Sequence, residues 1–439
     1  MRIPHRPRRH RLASILAAAL TVAPPTLAEQ TLAQAKASPG PDDPVEALVK
    51  QLDLEAYKST IKGLTQFGDR RQGTERNRKA VDWIEAQLKS YGCANTERIR
   101  YDFTPPAPRP TPAPGATPRQ PTGPRSGGLG GPPGQGGSTL FGNRARTGVN
   151  TDPMRQPDET LRSLDAEQTP PGTTPREEVY CTKIGATHPE EMYIVGGHLD
   201  GHGFNEAAND DGSGTALVME LARILSKRGV ETERSIRFAL WNNEESGLNG
   251  AYAYVAQRKD LQGIEEPKGS GKYPEPKWLG MIQHDMMLWD HGMPIPQLDP
   301  KGKQVLDAAG RPVFVSPKVQ RLEADVNIEF QSTAKQADAA AKLAWFFRAA
   351  NDKYATDYPA AVGPHMTNTD STPFMDLVPA ISLRENERGM HIGAGWDPNW
   401  HQPSDVFSTY SDKDFRLGLN AAQTTLAAIA QLAGATIKK

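Results

Sequence analysis

The residues of this chain best suited to chemistry lie within 194–215, which reads IVGGHLDGHGFNEAANDDGSGT. An apolar run ends at two glycines and is followed by His198 and Asp200, and Asp210 comes slightly later. This pattern predicts a buried strand whose carboxyl end carries a histidine and carboxylates, and ligands bind at that end in open α/β sheets. Imidazole and carboxylate groups without a nearby thiol are typical ligands of a hydrolytic zinc site.

Further candidate ligands follow later strands of the predicted sheet. Glu244 and Glu245 come soon after the apolar run SIRFALW. Asp285 ends another apolar run, and His401 lies in a loop before the last predicted helix. Adjacent glutamates after a buried strand are costly unless a cation neutralises them, and a pair of metal ions does that best. We therefore expect these side chains to converge with the first histidine and its carboxylates at one edge of the sheet.

The rest of the chain alternates between short apolar runs, typical of buried strands, and hydrophobic patterns of period 3.6, typical of helices. Strands are predicted at Thr96–Phe103, from Glu178 onward, and at Met192–Gly197, Ser235–Trp241, Leu279–His284, Val326–Phe330 and Ala380–Leu383. Helices are predicted within 43–68 and at Glu75–Tyr91, Ser213–Lys227, Leu248–Gln257, Thr333–Asn351 and Ser411–Leu432. The alternation predicts an α/β fold, with a single three-layer domain in which helices cover both faces of a mostly parallel mixed sheet. The first two strands would form an antiparallel hairpin at one edge.

The N-terminal residues predict an exported protein. Residues 1–28 combine an arginine-rich start, the apolar run Leu12–Ala23 and the small-x-small sequence Thr26-Leu27-Ala28, which together are typical of a secretory signal peptide. Residues 29–42 would be a linker and 43–439 the main folded domain. The signal peptide predicts that the mature protein is periplasmic or extracellular. The net charge of −1 and the lack of a later basic tract argue against nucleic acid as a partner. No other stretch is long and apolar enough to span a membrane.

Residues 104–176 differ in composition from the rest of the domain. They are rich in Pro and Gly, which predicts a disordered loop between the first two strands. A polyproline partner site or a wall anchor is the alternative function of this segment. The two cysteines, Cys93 and Cys181, lack metal-ligand spacing and flank strands that we expect to pair. An oxidising compartment would allow a disulfide between them, and two separate buried thiols are the alternative.

Five segments of the chain resemble the co-catalytic di-zinc exopeptidase family. They are GGHLD, NDDGSGTALVMELARIL, RSIRFALWNNEESGLNGAYAYV, MIQHDMM and WHQPSD, and they occur in the order and spacing of that family. The family includes bacterial secreted aminopeptidases and the aminopeptidase Y and glutamate carboxypeptidase types. The resemblance covers most of 43–432 apart from the Pro/Gly-rich loop, and it implies two Zn²⁺ ions per chain, with Mn²⁺ or Co²⁺ as possible substitutes.

Carried over to the matching positions, the resemblance implies a set of five metal ligands. His198 would bind one metal ion, and the Asp210 carboxylate would bridge both ions. Glu245 would complete the ligands of the first ion. Asp285 and His401 would hold the second ion.

The resemblance also implies roles around these ligands. Glu244 would be the general base, which accepts a proton from water and later delivers it to the leaving amine. Asp200 would orient the imidazole of His198 as a hydrogen-bond acceptor. The peptide bond between Asp210 and Asp211 would be cis.

Three further residues are candidates for substrate binding. Asp370 lies in TDSTPF, similar to a Ser-Asp-His-x-Pro-Phe stretch of the family, with Ser371 where a His is common. Trp400 stands where many relatives have a Tyr that donates to the oxyanion, and an indole N–H can still donate one hydrogen bond. Glu385 would meet a free α-ammonium group.

Other residues near the motifs have simpler interpretations. His202 is predicted to be a solvated loop residue, and His284 a buried histidine with satisfied hydrogen bonds. His365 and His391 lie in loops that would rim the pocket. The segment Met286–Trp289 is interpreted as core or pocket wall.

The resemblance predicts an exported metallo-exopeptidase, specifically an aminopeptidase that removes N-terminal residues from peptides. A carboxypeptidase-like hydrolase of acidic peptides is an alternative, because Arg384 and Arg388 could receive a substrate carboxylate. A glutaminyl-cyclase-like acyltransferase with one zinc ion is a second alternative. A binding protein that keeps the fold without activity is a third.

Overall fold

The computed structural model describes residues 43–93, 95–106, 149–290, 297–308, 313, 326–364, 366, 368–385, 397 and 399–438. The predicted signal peptide and linker, His365, Arg388 and His391 lie outside the described residues. Among the described helices, none has the length and apolar character needed to cross a lipid bilayer.

Helices and strands follow the predicted alternation. The described helices are α1 Pro44–Val49, α2 Leu54–Thr65, α3 Glu75–Ser90, α4 Glu159–Leu164, α5 Gly212–Leu225, α6 Asn249–Arg258, α7 Ala337–Tyr354 and α8 Asp412–Leu432. The described strands are β1 Thr96–Phe103, β2 Thr174–Lys183, β3 His188–His198, β4 Val230–Glu231, β5 Arg234–Trp241, β6 Lys277–His284, β7 Val326–Phe330, β8 Ala360–Gly363, β9 Ala380–Glu385 and β10 Thr436–Ile437.

Eight of the described strands form one mixed sheet in the order β1-β2-β5-β3-β6-β9-β7-β8. The central strands β5, β3, β6 and β9 are parallel to one another, and β7 pairs in parallel with β8. The hairpin of β1 and β2 is antiparallel and lies at one edge, as predicted. The short strands β4 and β10 pair separately. The predicted α/β fold with a mostly parallel mixed sheet is confirmed.

Both faces of the sheet are buried, which gives three layers. Neighbouring residues of a strand point to opposite faces, and the apolar core accordingly divides into two clusters. Val195 of β3 packs in the cluster that includes α5 and α8, whereas Ile194 packs in the cluster that includes α6. Ile282 and Met281 of β6 divide in the same way. Burial on both faces explains why these strands are nearly continuous apolar runs.

A disulfide joins Cys93, which follows α3, to Cys181 in β2, and their Cα atoms are 6.0 Å apart. Of the two alternatives left by the sequence, the bridge is the one found. It lies next to the β1–β2 hairpin, because Cys181 is the register partner of Thr96. The bridge therefore ties α3 to the edge of the sheet.

Removing this disulfide should destabilise the protein. The two cysteines are 88 residues apart in sequence, and loss of a native disulfide that closes such a loop typically costs about 2–5 kcal/mol. We expect the C93S/C181S double variant to lower the free energy of unfolding by that amount, measured by urea denaturation. Native protein treated with dithiothreitol should unfold at the same urea concentration as the variant. An unchanged midpoint in both samples would contradict this prediction.

The last part of the predicted disordered loop has a defined structure, so that prediction is wrong for 149–176. Residues 107–148 lie outside the described part of the chain. The later residues contain α4 and the start of β2. Gln156 Nε2 donates to the Phe204 carbonyl oxygen at 2.8 Å, and Asn150 Nδ2 donates to the Gly203 carbonyl oxygen at 3.0 Å. Composition did not indicate this because the segment is held mainly by buried polar side chains and buries few apolar ones.

The same segment is held at its other end by a buried pair of carboxylates. Asp165 follows α4, and its Oδ1 accepts a hydrogen bond from the backbone N–H of Asp69 at 3.0 Å. Arg76 pairs closely with Asp69, Nη2 to Oδ1 at 2.6 Å, and less closely with Asp165, Nε to Oδ1 at 3.4 Å. Burial and the charge of Asp69 raise the pKa of Asp165 to about 8.

The shifted pKa of Asp165 should make stability depend on pH. In the folded state this carboxyl keeps its proton up to about pH 8, whereas an unfolded aspartate loses it near pH 4. Its contribution to stability is therefore complete below about pH 4 and is lost as the pH rises through about 8. We expect Asp165→Asn to gain stability relative to the native protein between pH 5 and 9, measured by urea denaturation at each pH. Parallel stability curves for the two proteins would contradict the assignment.

Candidate metal centre

Adjacent parallel strands place the predicted ligands at one edge of the sheet. His198 ends β3, and Asp285 follows directly after β6, the neighbour of β3. The turn after β5 carries Glu244 and Glu245, and β5 is the other neighbour of β3. His401 arrives from the loop that precedes α8. The five residues named here therefore all lie near the carboxyl ends of the central strands.

Glycine lets the first helix after β3 approach the strand closely. A Cβ atom on Gly197 would lie 2.8 Å from the backbone carbon of Gly214, in the first turn of α5. The side chain of Asp211 caps α5, because its Oδ1 accepts from the Gly214 N–H at 2.8 Å. Its Oδ2 accepts from the His198 N–H at 2.9 Å. The loop that contains Asp210 is thereby fixed against the end of β3.

The two oxygens of Asp210 face different histidines. Asp210 Oδ1 is 3.3 Å from His198 Nε2, and Asp210 Oδ2 is 3.0 Å from His401 Nε2. Asp285 Oδ1 is 3.8 Å from His198 Nε2, and Glu245 Oε2 is 2.9 Å from His401 Nε2. The structure therefore brings together all five residues predicted as ligands, with Asp210 at the centre. The predicted cis peptide bond between Asp210 and Asp211 is also present.

One predicted ligand set is close together in the structure, since donor atoms of His198, Asp210 and Glu245 all lie within 4.8 Å of one another. The nearest contacts, however, follow a different pairing. The resemblance grouped Glu245 with His198, and Asp285 with His401. In the structure the nearest contacts join Asp285 to His198 and Glu245 to His401. Asp285 follows the strand adjacent to β3, so it lies beside His198. Glu245 lies further out, in the turn after β5, and faces the loop of His401.

The donor atoms fit two zinc ions. Zinc–nitrogen and zinc–oxygen bonds of about 2.0–2.1 Å in a tetrahedron place neighbouring donors about 3.3 Å apart. The four histidine–carboxylate separations given above range from 2.9 to 3.8 Å around that value. In addition, Glu245 Oε1 is buried with no hydrogen-bond partner among the described residues. Carboxylate and imidazole donors without sulfur suit zinc, and also manganese or cobalt.

The cluster also favours positive charge at two points. Burial alone would lower the pKa of His401, but Glu245 and Asp210 raise it to about 9. Burial likewise opposes the charge of His198, yet Glu244, Asp211 and the contacts with Asp210 and Asp285 raise its pKa well above the usual value. The carboxylates thus favour a positive charge beside each imidazole. A bound cation at each histidine would be stabilised in the same way.

The ring of His198 is oriented by the backbone rather than by the predicted side chain. His198 Nδ1 is 2.9 Å from the carbonyl oxygen of Asp200, whereas the Asp200 carboxylate is 4.0 Å away. A proton on Nδ1 donated to this carbonyl leaves Nε2 to face Asp210 and Asp285. The prediction for the Asp200 side chain is therefore corrected. Its Oδ1 accepts from the Glu244 N–H at 3.0 Å and so fixes the turn of the two glutamates.

Glu244 lies beside the cluster but outside the five ligands. One of its carboxylate oxygens is within 4.8 Å of donor atoms of His198 and Asp285. Burial raises the pKa of Glu244 well above its usual value, against the opposing effect of His198 and with a further increase from the nearby carboxylates. A raised pKa and a position next to the cluster suit a group that accepts and returns a proton.

Asp405 was missed as a supporting residue, although it belongs to the quoted motif WHQPSD. Its Oδ1 accepts from the Asn209 N–H at 2.8 Å, and its Oδ2 accepts from the Asp210 N–H at 3.1 Å. Tyr410 donates to Asp405 Oδ1 at 2.9 Å. The carboxylate therefore clamps the backbone on either side of Asn209 and holds Asp210 in place. The available signal was an acidic residue four positions after His401.

His202 is part of the site, and its interpretation as a solvated loop residue is wrong. Its Nε2 is 3.0 Å from Glu245 Oε2 and 3.1 Å from His401 Nδ1, and its side chain is 14% exposed. The rings of His202 and His401 meet edge to face with centroids 4.1 Å apart. Burial lowers the pKa of His202. His284, by contrast, is fully buried with partners on both ring nitrogens, as predicted.

The three predicted substrate residues occupy different environments. Asp370 is fully buried, accepts from Gln283 Nε2 at 3.3 Å, and leaves Oδ1 without a hydrogen-bond partner among the described residues. Glu385 is also buried, and its Oε2 accepts from Asn209 Nδ2 at 3.0 Å. The indole of Trp400 stacks on His401 with ring centroids 3.8 Å apart. Asp370 and Glu385 are therefore buried among protein partners, whereas Trp400 is half-buried.

Arg384 has a partner within the protein. Its Nη2 forms an ion pair with Asp285 Oδ2, and its Nε lies 4.0 Å from Glu329 Oε2. The side chain is 2% exposed. The prediction that Arg384 could receive a substrate carboxylate is therefore not supported by its position. The ion pair instead holds the second oxygen of Asp285 and leaves Oδ1 directed at His198.

Comparison with known proteins places the chain in a family. The family model described as "Peptidase family M28" matches residues 179–425, more than half of the chain. Carboxypeptidase Q of Xenopus laevis is 34% identical over 83 residues, and aminopeptidase YwaD of Bacillus subtilis (strain 168) is 41% identical over 68 residues. These matches cover 19% and 16% of this chain and span only 18% and 14% of the relatives' own lengths.

Solved structures show the same fold at low sequence identity. A zinc aminopeptidase from Bacillus subtilis aligns with a TM-score of 0.54 and 15% identity, over 88% of this chain and 96% of its own. An aminopeptidase from Aneurinibacillus sp. strain AM-1 aligns with a TM-score of 0.50 and 19% identity, over 90% and 97% of the two chains. Together with the family match and the convergence of the motif residues, this shows that the chain belongs to peptidase family M28.

Proposed function

We propose that this protein is an exported aminopeptidase that uses two zinc ions to remove N-terminal residues from peptides. The observation that carries the proposal is the position of Asp210, which directs one oxygen to each of two histidines. Each histidine has a second carboxylate beside it, and these are Asp285 and Glu245. A carboxylate shared between two such sets suits a pair of divalent cations.

The ligand sets follow from the nearest contacts. His198, Asp210 and Asp285 would hold one ion, and His401, Asp210 and Glu245 would hold the other. When bound, the two ions would supply Lewis-acid polarisation of the scissile carbonyl and would activate water as the nucleophile. Mn²⁺ or Co²⁺ would substitute for zinc at the same donors.

Residues of the protein itself would then transfer the proton from the attacking water to the leaving amine. Glu244 is close to the donor atoms of His198 and Asp285, so its carboxylate would accept the proton of the attacking water and deliver it to the leaving amine. Asp200 fixes the backbone N–H of Glu244 and thereby the direction of this carboxylate. Trp400 at the rim would offer its indole N–H to the developing oxyanion.

The position of Arg384 argues against recognition of a substrate through its α-carboxylate. Arg384 is buried and forms an ion pair with Asp285, so it is not placed to bind such a group. The proposal also agrees with the names of relatives and solved structures that are aminopeptidases. Because other relatives are carboxypeptidase Q proteins, carboxypeptidase activity is the second candidate function.

A substrate panel tests the direction of cleavage. Purified zinc-loaded protein is incubated with one peptide in three forms, which are free at both ends, N-acetylated, and C-terminally amidated. We expect cleavage of the free and amidated peptides with stepwise release of N-terminal residues, measured by mass spectrometry. Cleavage of the acetylated peptide from its C-terminal end would instead establish the carboxypeptidase. Cyclisation of an N-terminal Gln peptide with one zinc ion per chain would establish the acyltransferase, and no conversion of any peptide would indicate a binding protein.

Export is a separate part of the proposal. It rests on the pattern of residues 1–28, with an arginine-rich start, an apolar run and a small-x-small site at 26–28. We expect the mature protein, recovered from the periplasm or medium, to begin at Glu29. N-terminal sequencing of fractionated cells tests this, and full-length protein confined to the cytoplasm would contradict it.

A further inference from the structure

The two ring nitrogens of His401 face different neighbours. Nε2 faces Asp210 and Glu245, and Nδ1 faces His202 Nε2 at 3.1 Å. A histidine that gives its Nε2 lone pair to a metal ion keeps a proton on Nδ1, and that proton requires an acceptor. Within the described part of the chain, the hydrogen-bond partner of this nitrogen is His202. Metal-binding histidines more often use a carboxylate or a carbonyl oxygen for this purpose.

We propose that His202 is a positioning residue of the zinc site, with Nε2 accepting the Nδ1–H of His401 so that Nε2 of His401 stays directed at the ion. The inference rests on the proposed function and extends it to a residue outside the ligand set. It concerns the ion held by His401 and Glu245. The other ion has a separate support, because His198 donates its Nδ1–H to the Asp200 carbonyl oxygen.

The contact with Glu245 is consistent with this role. His202 Nε2 is also 3.0 Å from Glu245 Oε2, and one ring nitrogen either donates or accepts in any one tautomer. If the Glu245 carboxylate binds an ion, the ion neutralises its charge, and Glu245 does not need a hydrogen bond donated by His202. The lone pair of His202 Nε2 is then available to His401. A single imidazole thereby contacts both protein ligands on this side of Asp210.

The backbone around His202 is hydrogen-bonded to the loop of His401, which fixes the position of one ring relative to the other. Asn205 Nδ2 donates to the carbonyl oxygens of His202 and Gln402, at 3.1 and 2.9 Å. Gly203 has a φ of +123°, and a Cβ atom there would lie 2.7 Å from the His401 carbonyl oxygen. Glycine is required for this close approach. The site therefore holds the acceptor by rigid local structure, as an outer hydrogen bond to a metal ligand needs.

Zinc binding to variants tests the inference without relying on turnover. His202→Leu keeps a side chain of similar size but has no acceptor, and His202→Gln offers an amide oxygen. His188→Leu is the matched control, because His188 is a partly exposed imidazole next to Glu190 on β3, away from the ligand set. Metal-free protein is titrated with zinc against a chromophoric chelator, which resolves two binding steps. Melting temperatures of the metal-free proteins are measured in parallel.

We expect His202→Leu to weaken one zinc step by about 10–100-fold, the usual cost of losing an outer hydrogen bond to a ligand, and to leave the other step unchanged. His202→Gln should recover most of that loss, and the control should match the native protein. Equal weakening of both steps together with a lower metal-free melting temperature would overturn the inference in favour of a general packing role. Native affinity at both steps would also overturn it. A native protein that binds no zinc would refute the proposed function itself, so the two failures are distinguishable.

Discussion

Glu244→Gln is expected to lower kcat by about 10²–10⁴-fold, the range contributed by a positioned general base, while zinc content stays at the native value. The amide has nearly the same shape as the carboxylate but cannot accept the proton of water. Glu244 lies beside the donor atoms of His198 and Asp285 and belongs to neither proposed ligand set. Steady-state kinetics on an N-terminally free peptide and metal analysis of the same sample measure the two quantities.

Glu190→Gln is the matched control for this variant. Glu190 lies on β3 but is 40% exposed and contacts His188, so its substitution should leave kcat and zinc content unchanged. Native kcat in Glu244→Gln would refute the base assignment. Loss of zinc along with activity would show that Glu244 is a ligand instead, which would change the proposed proton pathway.

The second large effect is expected from Asp210→Asn. An asparagine side chain has one oxygen and one N–H₂ group, so it can face one ion but not both. We expect loss of at least one zinc ion. The affinity for zinc should fall more than it does on loss of an outer hydrogen bond, which costs about 10–100-fold. Activity should be lost with the metal. The rise in melting temperature on adding zinc, which reports binding to the folded state, should shrink accordingly.

Asp352→Asn is the control for this experiment. Asp352 is an exposed residue of α7 that pairs with Arg348 one helical turn away, so zinc should stabilise this variant as it stabilises the native protein. The metal-free melting temperature of Asp210→Asn separates a folding defect from a binding defect. If Asp210→Asn bound two zinc ions with native affinity, Asp210 would not be the shared ligand.

Most of the fold follows from local patterns in the sequence. Ser411 and Asp414 have the spacing of a capping box at the predicted start of α8, and both hydrogen bonds of the box are present. Runs that are apolar on both faces predicted the central strands, because parallel strands are covered by helices on each side. The strand β8 was not predicted. Its four residues, AAVG, contain a single β-branched side chain and no aromatic one, which is too weak a strand pattern to recognise.

The ligand residues were predictable because they lie in motifs at or beyond the carboxyl ends of strands, but the nearest contacts between them were not. Which histidine lies beside Asp285 or Glu245 depends on strand order and on how far the turn after β5 projects. Neither property is encoded in the spacing of residues along the chain. The same is true of His202, whose contacts come from a loop 199 residues later in sequence.

The correction at Asp200 has a simple geometric cause. Because Asp200 is only two positions after His198, some atom of Asp200 is predicted to lie close to the imidazole ring. In the structure that atom is the backbone carbonyl oxygen, and the side chain turns toward the Glu244 N–H. Sequence predicts the proximity of such a residue, whereas the choice between backbone and side chain is made by the local dihedral angles.

Asp210 is expected to be shared by two zinc ions, and a crystal structure of the zinc-loaded protein tests this most directly. Anomalous scattering on either side of the zinc absorption edge locates each ion independently of the protein atoms. We predict two peaks, one between Asp210 and His198 and the other between Asp210 and His401. A single peak, or two peaks of which one does not contact Asp210, would show that Asp210 is not shared by two ions.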